Sequence, residues 1–389
     1  MKKAITLVLM AALMLSLAAC SSGGDGKAEA VTKDNLKVGV VHIMDLGDQG
    51  YTYNHDQGAK KMIAELGLRE DQYIPKFNIN DTDVAATNAA INELVNEGCQ
   101  IIFATSFSYG TQVVEAAKAQ PGVVFCHATG SDAHFNDLTN LHNYFAKIHQ
   151  ARYLAGIAAG LKTENNHLGY VAAFPYAEVI SGYTAFFLGA KSVNPDVYMD
   201  VMYADTWGDA LKEREIAEAL LNRGCDVISQ HSDSVSPALA AEAAGKWHVG
   251  YNNDMAPAAP NASLISARID WGIYMTYAVK ALLEGQTISV DWGEGLETGA
   301  AYLSPLNTAI AAPGTQEAID AAAARIISGD LKIFSGALKD ASGNPAVITN
   351  WDGSEVLFTF ENENSVFLES DEISAPAFNA IIDGINIVS

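Results

Sequence analysis

LKVGVVHIMDLGDQGYTYNHDQGAKKMIAEL, residues 36–66, is the stretch that decides the fold. Its opening, Leu36–Ile43, is apolar and rich in β-branched side chains, the composition of a strand buried on both faces. Its close, Asp56–Leu66, repeats apolar residues at helical spacing. Between them a glycine-punctuated loop runs from Asp45 into the helix. A strand, a short polar loop at its carboxyl end and a helix make the opening half of a parallel βαβ unit.

The pattern repeats. Strands are expected at Tyr73–Ile79, Gln100–Thr105 and Val123–Ala128, with helices at Asp83–Glu97 and Thr111–Ala119. A small-residue helix, Ala146–Leu161, opens a second series: strands at His167–Ala173, Val197–Tyr203, Asp226–Gln230 and Trp247–Tyr251, helices at Val179–Ser192, Ala210–Asn222 and Pro237–Ala244. In the tail a strand is expected at Val356–Phe360 and a helix at Ala375–Gly384. Two successive series imply two similar α/β lobes with a cleft between them. The lobes are expected at 36–146 with about 270–285, and at 147–269 with about 286–389.

The N-terminus sets the compartment. Lys2 and Lys3 precede an apolar run from Ala4 to Ala19, the layout of a secretory leader over residues 1–19. Leu17-Ala18-Ala19-Cys20 matches a bacterial lipobox, which makes Cys20 the expected lipidation site, and residues 20–35 a tether that starts Ser21-Ser22-Gly23-Gly24. The expected place is the outer face of a bacterial cell membrane, held by the lipid anchor only. A formal net charge of −23 repels nucleic-acid phosphates and argues against such a partner. Of the four cysteines, Cys99, Cys126 and Cys225 remain once Cys20 is set aside, an odd number without a C-x-x-C pair. Cys126 and Cys225 sit in apolar runs and read as core residues.

Ligands of open α/β sheets bind at the carboxyl ends of the strands. The residues there are aromatic, carboxylate and amide in mixture. The first loop carries Asp48, Tyr51, Tyr53 and Asn54, and later strand ends carry Phe107, Gly130, Phe174, Glu178, Trp207, Asp233, Asn252 and Asp254. Flat faces beside hydrogen-bonding groups suit a planar heterocycle. Aromatics with carboxylates also suit a sugar ring. No Walker A loop, G-x-G-x-x-G, H-E-x-x-H or G-x-S-x-G elbow is present. No catalytic set, metal set or cofactor is therefore expected, and the reading is a binding protein, with a surface nucleosidase-type enzyme as the alternative.

Six stretches carry a family resemblance: GDQGYTYNHDQGAKKM (47–62), NYFAKIHQARYLAGIAAGL (143–161), LGYVAAFPYAEVISGYTAFFLGAKSVNP (168–195), Thr206-Trp207 with Lys212-Glu213, DVISQHSDS (226–234) and GYNNDM (250–255). In these the chain resembles the basic membrane protein (BMP) family of ABC-transporter substrate-binding lipoproteins. The resemblance implies a type I periplasmic-binding-protein fold, two Rossmann-like lobes joined by a three-strand hinge. It implies an ABC permease as partner, a monomer, and a purine base or purine nucleoside as ligand. Tyr53-Asn54 matches the aromatic–asparagine pair of the nucleoside binders, while Tyr51 stands where a nearer subgroup has tryptophan. Either tyrosine is a stacking candidate, with Trp207 and Phe174 for the opposite face. Asn252 replaces an expected ribose-binding aspartate. Arg268, Ile269 and Asp270 stand where a lysine is expected, and Thr111 where a third carboxylate is. These departures favour a free, adenine-like base over a nucleoside.

Overall fold

In a computed structural model, which describes residues 30–358 and 365–389, residues 32–389 fold as one unit built on two large sheets. The leader, Cys20 and most of the expected tether lie outside the described residues, as do Thr359 and Phe360 at the end of the expected tail strand.

In the first series β1 (Val38–Val41), α1 (Tyr51–Leu66), β2 (Tyr73–Lys76), α2 (Val84–Asn96), β3 (Ile101–Ala104), α3 (Gly110–Ala119), β4 (Val124–His127), the single turn α4 (Asp132–Phe135) and β5 (Leu141–Tyr144) follow in order. The second series is α5 (Ile148–Lys162), β6 (His167–Ala172), α6 (Ala177–Val193), β7 (Tyr198–Tyr203), α7 (Ala210–Asn222), β8 (Val227–Gln230), α8 (Ser236–Ala243), β9 (Trp247–Tyr251) and β10 (Ser263–Ile269). Then come α9 (Trp271–Glu284), β11 (Asp291–Trp292), β12 (Ala301–Leu303), α10 (Thr315–Ile327), β13 (Phe334–Ser335), β14 (Val347–Thr349), β15 (Glu355–Leu357), β16 (Val366–Phe367) and β17 (Ile385–Ile387).

The first sheet has the order β11-β5-β4-β3-β1-β2 and is parallel throughout. The second has the order β12-β10-β9-β8-β6-β7-β17, parallel except where β12 runs against β10. The chain passes between the two sheets after β5, after β10 and after β11. Helix α9 packs back on α1 in the first lobe.

Apolar strands and helix faces account for the cores. Ile102, Phe125 and Leu94 are fully buried in the first lobe, and Val171, Ile228 and Leu220 in the second. Cys126 and Cys225 are buried core residues. Helices α5 and α6 meet almost backbone to backbone. A Cβ on Gly156 would lie 1.9 Å from the Phe186 carbonyl oxygen, and one on Gly189 would lie 1.9 Å from that of Tyr153. Glycine at both points lets the helices approach closely and sets Arg152, on α5, beside Gly182 of α6.

Several expectations are corrected. Helix α1 begins at Tyr51, so residues taken for loop form its first turns. Strands β5 and β10 and helix α10 were not anticipated. Asp291–Trp292 pairs with β5, which gives the first sheet a strand from the stretch expected in the second lobe. The expected helix at Ala375–Gly384 is absent. There the backbone N–H groups of Ala377 and Phe378 donate to the Glu369 carboxylate instead of helical carbonyls, and Phe378 stacks on Phe334 at 4.1 Å.

Candidate functional site

A small cavity lies where the carboxyl ends of the two sheets face each other. Ile43, Tyr51, Thr105, Ser106, Phe107 and Thr129 line it from the first lobe; Glu178, Trp207, His231, Asp233 and Tyr251 line it from the second. Each follows or ends a strand, or starts the helix after one. This is where parallel α/β topology collects loops and helix N-termini.

Helix geometry settles which tyrosine faces the cavity. Residues two apart on a helix point about 200° away from each other. Tyr51 lines the cavity, packed on His55 one turn on and edge-to-face with Trp271. Tyr53 does not line it. Asn54 turns inward, its Nδ2 donating to the Ile269 carbonyl at 2.8 Å, which ties α1 to the end of β10. Asp48 caps α1: its carboxylate accepts from the backbone N–H groups of Gly50, Thr52 and Tyr53. Gly130 also lies outside the lining, and a Cβ there would strike the His127 ring.

On the second lobe Glu178, Trp207 and Asp233 line the cavity as expected. Phe174 stands behind Trp207, edge-on at 5.2 Å, and stacks on Tyr176 at 5.0 Å. Asn252 is fully buried and donates from Nδ2 to Asp233 Oδ1 at 3.2 Å. Asp254 accepts from the Ala256 N–H, as a turn residue does. Ile43, Thr105, Ser106 and Thr129 on the first lobe and His231 and Tyr251 on the second complete the lining, none of them among the residues expected to bind ligand. Their neighbours at the same strand ends were the available signal.

Two carboxylates dominate the cavity. Glu178 sits in the first turn of α6, where the helix dipole favours negative charge. Its Oε2 accepts from Thr129 Oγ1 at 2.5 Å across the cleft, and its Oε1 is 3.3 Å from His231 Nε2. Asp233 is 3% exposed. Burial, then the charges of Asp48, Glu213, Glu178 and Asp81, push its carboxyl well above the usual carboxylate range. Burial chiefly, helped by the Arg152 charge, pushes the His231 imidazole down to about 4. Two buried donors in the lining lack a partner: Trp207 Nε1 and Tyr251 Oη. Buried polar groups are rarely left so, and both are suited to a ligand's acceptors.

The lobes touch around this cavity. Besides the Thr129–Glu178 bond, Asn253 Nδ2 donates to the Gln49 carbonyl at 3.0 Å and the Phe107 and Tyr176 rings lie 5.6 Å apart. A Cβ on Gly50 would lie 1.6 Å from the Asp233 carbonyl oxygen, so this approach requires glycine.

Among the described residues, one trio with metal-ligand chemistry lies away from the cavity: His167, Asp200 and Cys225, with ligand atoms within 4.8 Å of one another. Arg223 Nε donates to the same Asp200 Oδ2 that faces His167, which puts a guanidinium where a cation would sit. No helix among the described residues is long and apolar enough to cross a membrane.

Comparison with known proteins agrees with this geometry. The family model Bmp, described as ABC transporter substrate-binding protein PnrA-like, matches residues 35–329. A purine-binding protein of Brucella abortus is 34% identical over 83% of this chain and 88% of its own length. A Haloferax volcanii protein, provisionally named an ABC transporter glucose-binding protein, is 32% identical over 92% of this chain and 85% of its own. A solved solute-binding protein of an ABC transporter system from Aeropyrum pernix superposes with a TM-score of 0.64 at 18% identity, over 76% of this chain and 92% of its own.

Proposed function

Because this chain belongs to the Bmp family of PnrA-like ABC transporter substrate-binding proteins, we propose that its interlobe cavity captures a purine, as the free base in preference to the nucleoside. Its fold is the type I periplasmic-binding-protein fold. Proteins of this family bind a small molecule outside the cytoplasm and deliver it to a permease. The finer reading adds attachment through a lipidated Cys20, a monomeric state, binding without catalysis, and hinge closure at the three crossings between lobes.

The observation that carries the ligand class is the cavity's complement of groups. Tyr51 and Phe107 on one lobe and Trp207 and Tyr251 on the other offer π faces. Glu178 and Asp233 offer carboxyl groups, and Trp207 Nε1 and Tyr251 Oη offer free donors. A purine base presents a flat ring with N–H donors and ring-nitrogen acceptors on its edge, which match these groups in kind. Asn252 and Thr111, standing where the nucleoside binders are expected to have carboxylates, favour a base over a nucleoside. The purine-binding relative from Brucella abortus supports the same reading.

Capture follows from closure. The ring lies between aromatics of opposite lobes, and the contacts of Thr129 with Glu178 and of Asn253 with Gln49 form only when the lobes meet. Ligand binding therefore biases the closed shape that a permease recognises. Stacking with several buried hydrogen bonds gives micromolar affinity or better, roughly −8 kcal/mol.

A thermal-shift panel on residues 24–389 tests the reading, with adenine, guanine, hypoxanthine, their nucleosides, glucose and arabinose. Bases at a hundredfold excess over Kd should stabilise the protein by about 2.7 kcal/mol. Stabilisation by glucose alone would overturn the purine reading and favour the sugar reading raised by the Haloferax relative.

A further inference from the structure

Behind Glu178 stands a buried relay. Arg152, on α5, is 2% exposed. Its guanidinium donates to the Tyr170 hydroxyl at 2.6 Å and to the Gln230 carbonyl at 3.0 Å, and lies 3.7 Å from the centre of the Tyr251 ring. Its Nη2 meets His231 Nδ1 at 3.1 Å. Arginine has no acceptor, so His231 Nδ1 must be the acceptor of this bond. The imidazole proton is then on Nε2, the nitrogen that points at Glu178 Oε1.

We propose that Arg152 is a positioning residue for ligand recognition: by occupying His231 Nδ1 it locks the imidazole as the Nε2–H tautomer, which fixes Glu178 as an acceptor fork selective for ligand N–H donors. With His231 and Thr129 donating to one oxygen each, the carboxylate rotamer is set from both sides. Glu178 lines the cavity, and lone pairs left free there would favour a ligand edge with N–H groups and repel a bare ring nitrogen. This rests on the reading of the cavity as a purine-base site. Without Arg152, His231 is free to turn a lone pair toward Glu178, and the fork loses one of its two supports.

The groups facing His231 are Arg152 from α5, Glu178 from α6, Tyr251 from β9, Trp207 after β7, and Asp233 in its own loop. With Arg152 in place the imidazole stays neutral, its pKa about 4, so the wild type should show no histidine step in binding from pH 6 to 8, and any slope from Asp233 is common to all three proteins. In Arg152→Met, affinity for adenine should fall roughly 10–100-fold at neutral pH. It should then recover on acidification, because a protonated imidazole donates from both nitrogens whatever its tautomer. His231→Gln removes the titrating imidazole while offering an amide oxygen to Arg152 and an amide N–H to Glu178, so whatever affinity it retains should show no recovery on acidification.

The test combines adenine titrations of the three proteins across pH with nitrogen NMR of histidine-labelled wild type, His231 being identified by its loss in His231→Gln. A proton on His231 Nε2 in the wild type, with a pH-dependent loss confined to Arg152→Met, is the expected result. A proton on Nδ1, or unchanged and flat binding by folded Arg152→Met, would overturn the relay. The tautomer is read without ligand, so it tests the lock even if Arg152→Met does not fold. Failure of the wild type to bind any purine would refute the ligand class and leave the tautomer result standing on its own.

Discussion

Gly50→Ala isolates closure from ligand contact. Gly50 is not among the cavity-lining residues, and the atoms nearest its added methyl group belong to Asp233 of the opposite lobe. The Cβ would lie 1.6 Å from the Asp233 carbonyl oxygen, whereas ordinary contact begins at 3.4 Å, so the lobes must part by about 1.8 Å there. That separation stretches the 2.5 Å Thr129–Glu178 bond and the 3.0 Å Asn253–Gln49 bond beyond hydrogen-bond reach. Losing one charge-assisted and one neutral hydrogen bond, with partial relaxation, costs about 2 kcal/mol, roughly thirtyfold in Kd. The three atoms nearest the methyl group all belong to the opposite lobe, so a melt of the unliganded variant separates blocked closure from damage to the fold. Calorimetric titration with the best purine, beside a melt of the unliganded variant, gives both quantities. Affinity within twofold of wild type in a normally melting variant would refute the closed arrangement of Gly50 against Asp233.

Three further outcomes are expected. Trp207→Ala should weaken purine binding by about 1–3 kcal/mol through lost stacking while sparing the fold, checked by equilibrium titration and circular dichroism. Asp233→Asn should raise the melting temperature at pH 7 yet weaken ligand binding. An acid whose folded pKa lies above its unfolded value stabilises the fold at low pH and loses that contribution as pH rises, so the gain from asparagine should shrink on acidification. Glu369, buried in the C-terminal segment, has its carboxyl pushed by burial up to about 7. Wild-type stability should therefore decline between about pH 4.5 and 7, and Glu369→Gln should flatten that part of the pH–stability curve.

The large buried strands were legible because nothing competes with their apolar pattern: β1 and β6 are buried along their whole lengths. Strand β5 escaped notice because His142 and Asn143 look like loop residues. They are buried with their polar atoms bonded, His142 Nδ1 with the Ser289 carbonyl and Asn143 with Ala133 and Asp291. The apolar spacing of Ala375–Gly384 imitates a helix because its aromatic joins a cluster with Phe334, while Glu369, which precedes the run, takes the N–H groups that a helix would use.

Of the residues read at strand ends, Tyr51, Phe107, Glu178, Trp207 and Asp233 line the cavity. It did not separate lining from support. Asp48, Asn54, Asn252 and Asp254 stand at the same strand ends but serve caps, turns and links between segments. Arg152 was out of reach, since it lies within a small-residue helix and meets His231 only through the close approach of α5 and α6.

The central claim is that one purine base is held between the two lobes. Equilibrium dialysis of radiolabelled adenine against residues 24–389, with unlabelled adenosine and glucose as competitors, tests it most directly. The account predicts one site per chain, displaced by excess free base, poorly displaced by adenosine and untouched by glucose. Saturable binding displaced by glucose, or no binding of adenine while a sugar binds, would contradict it.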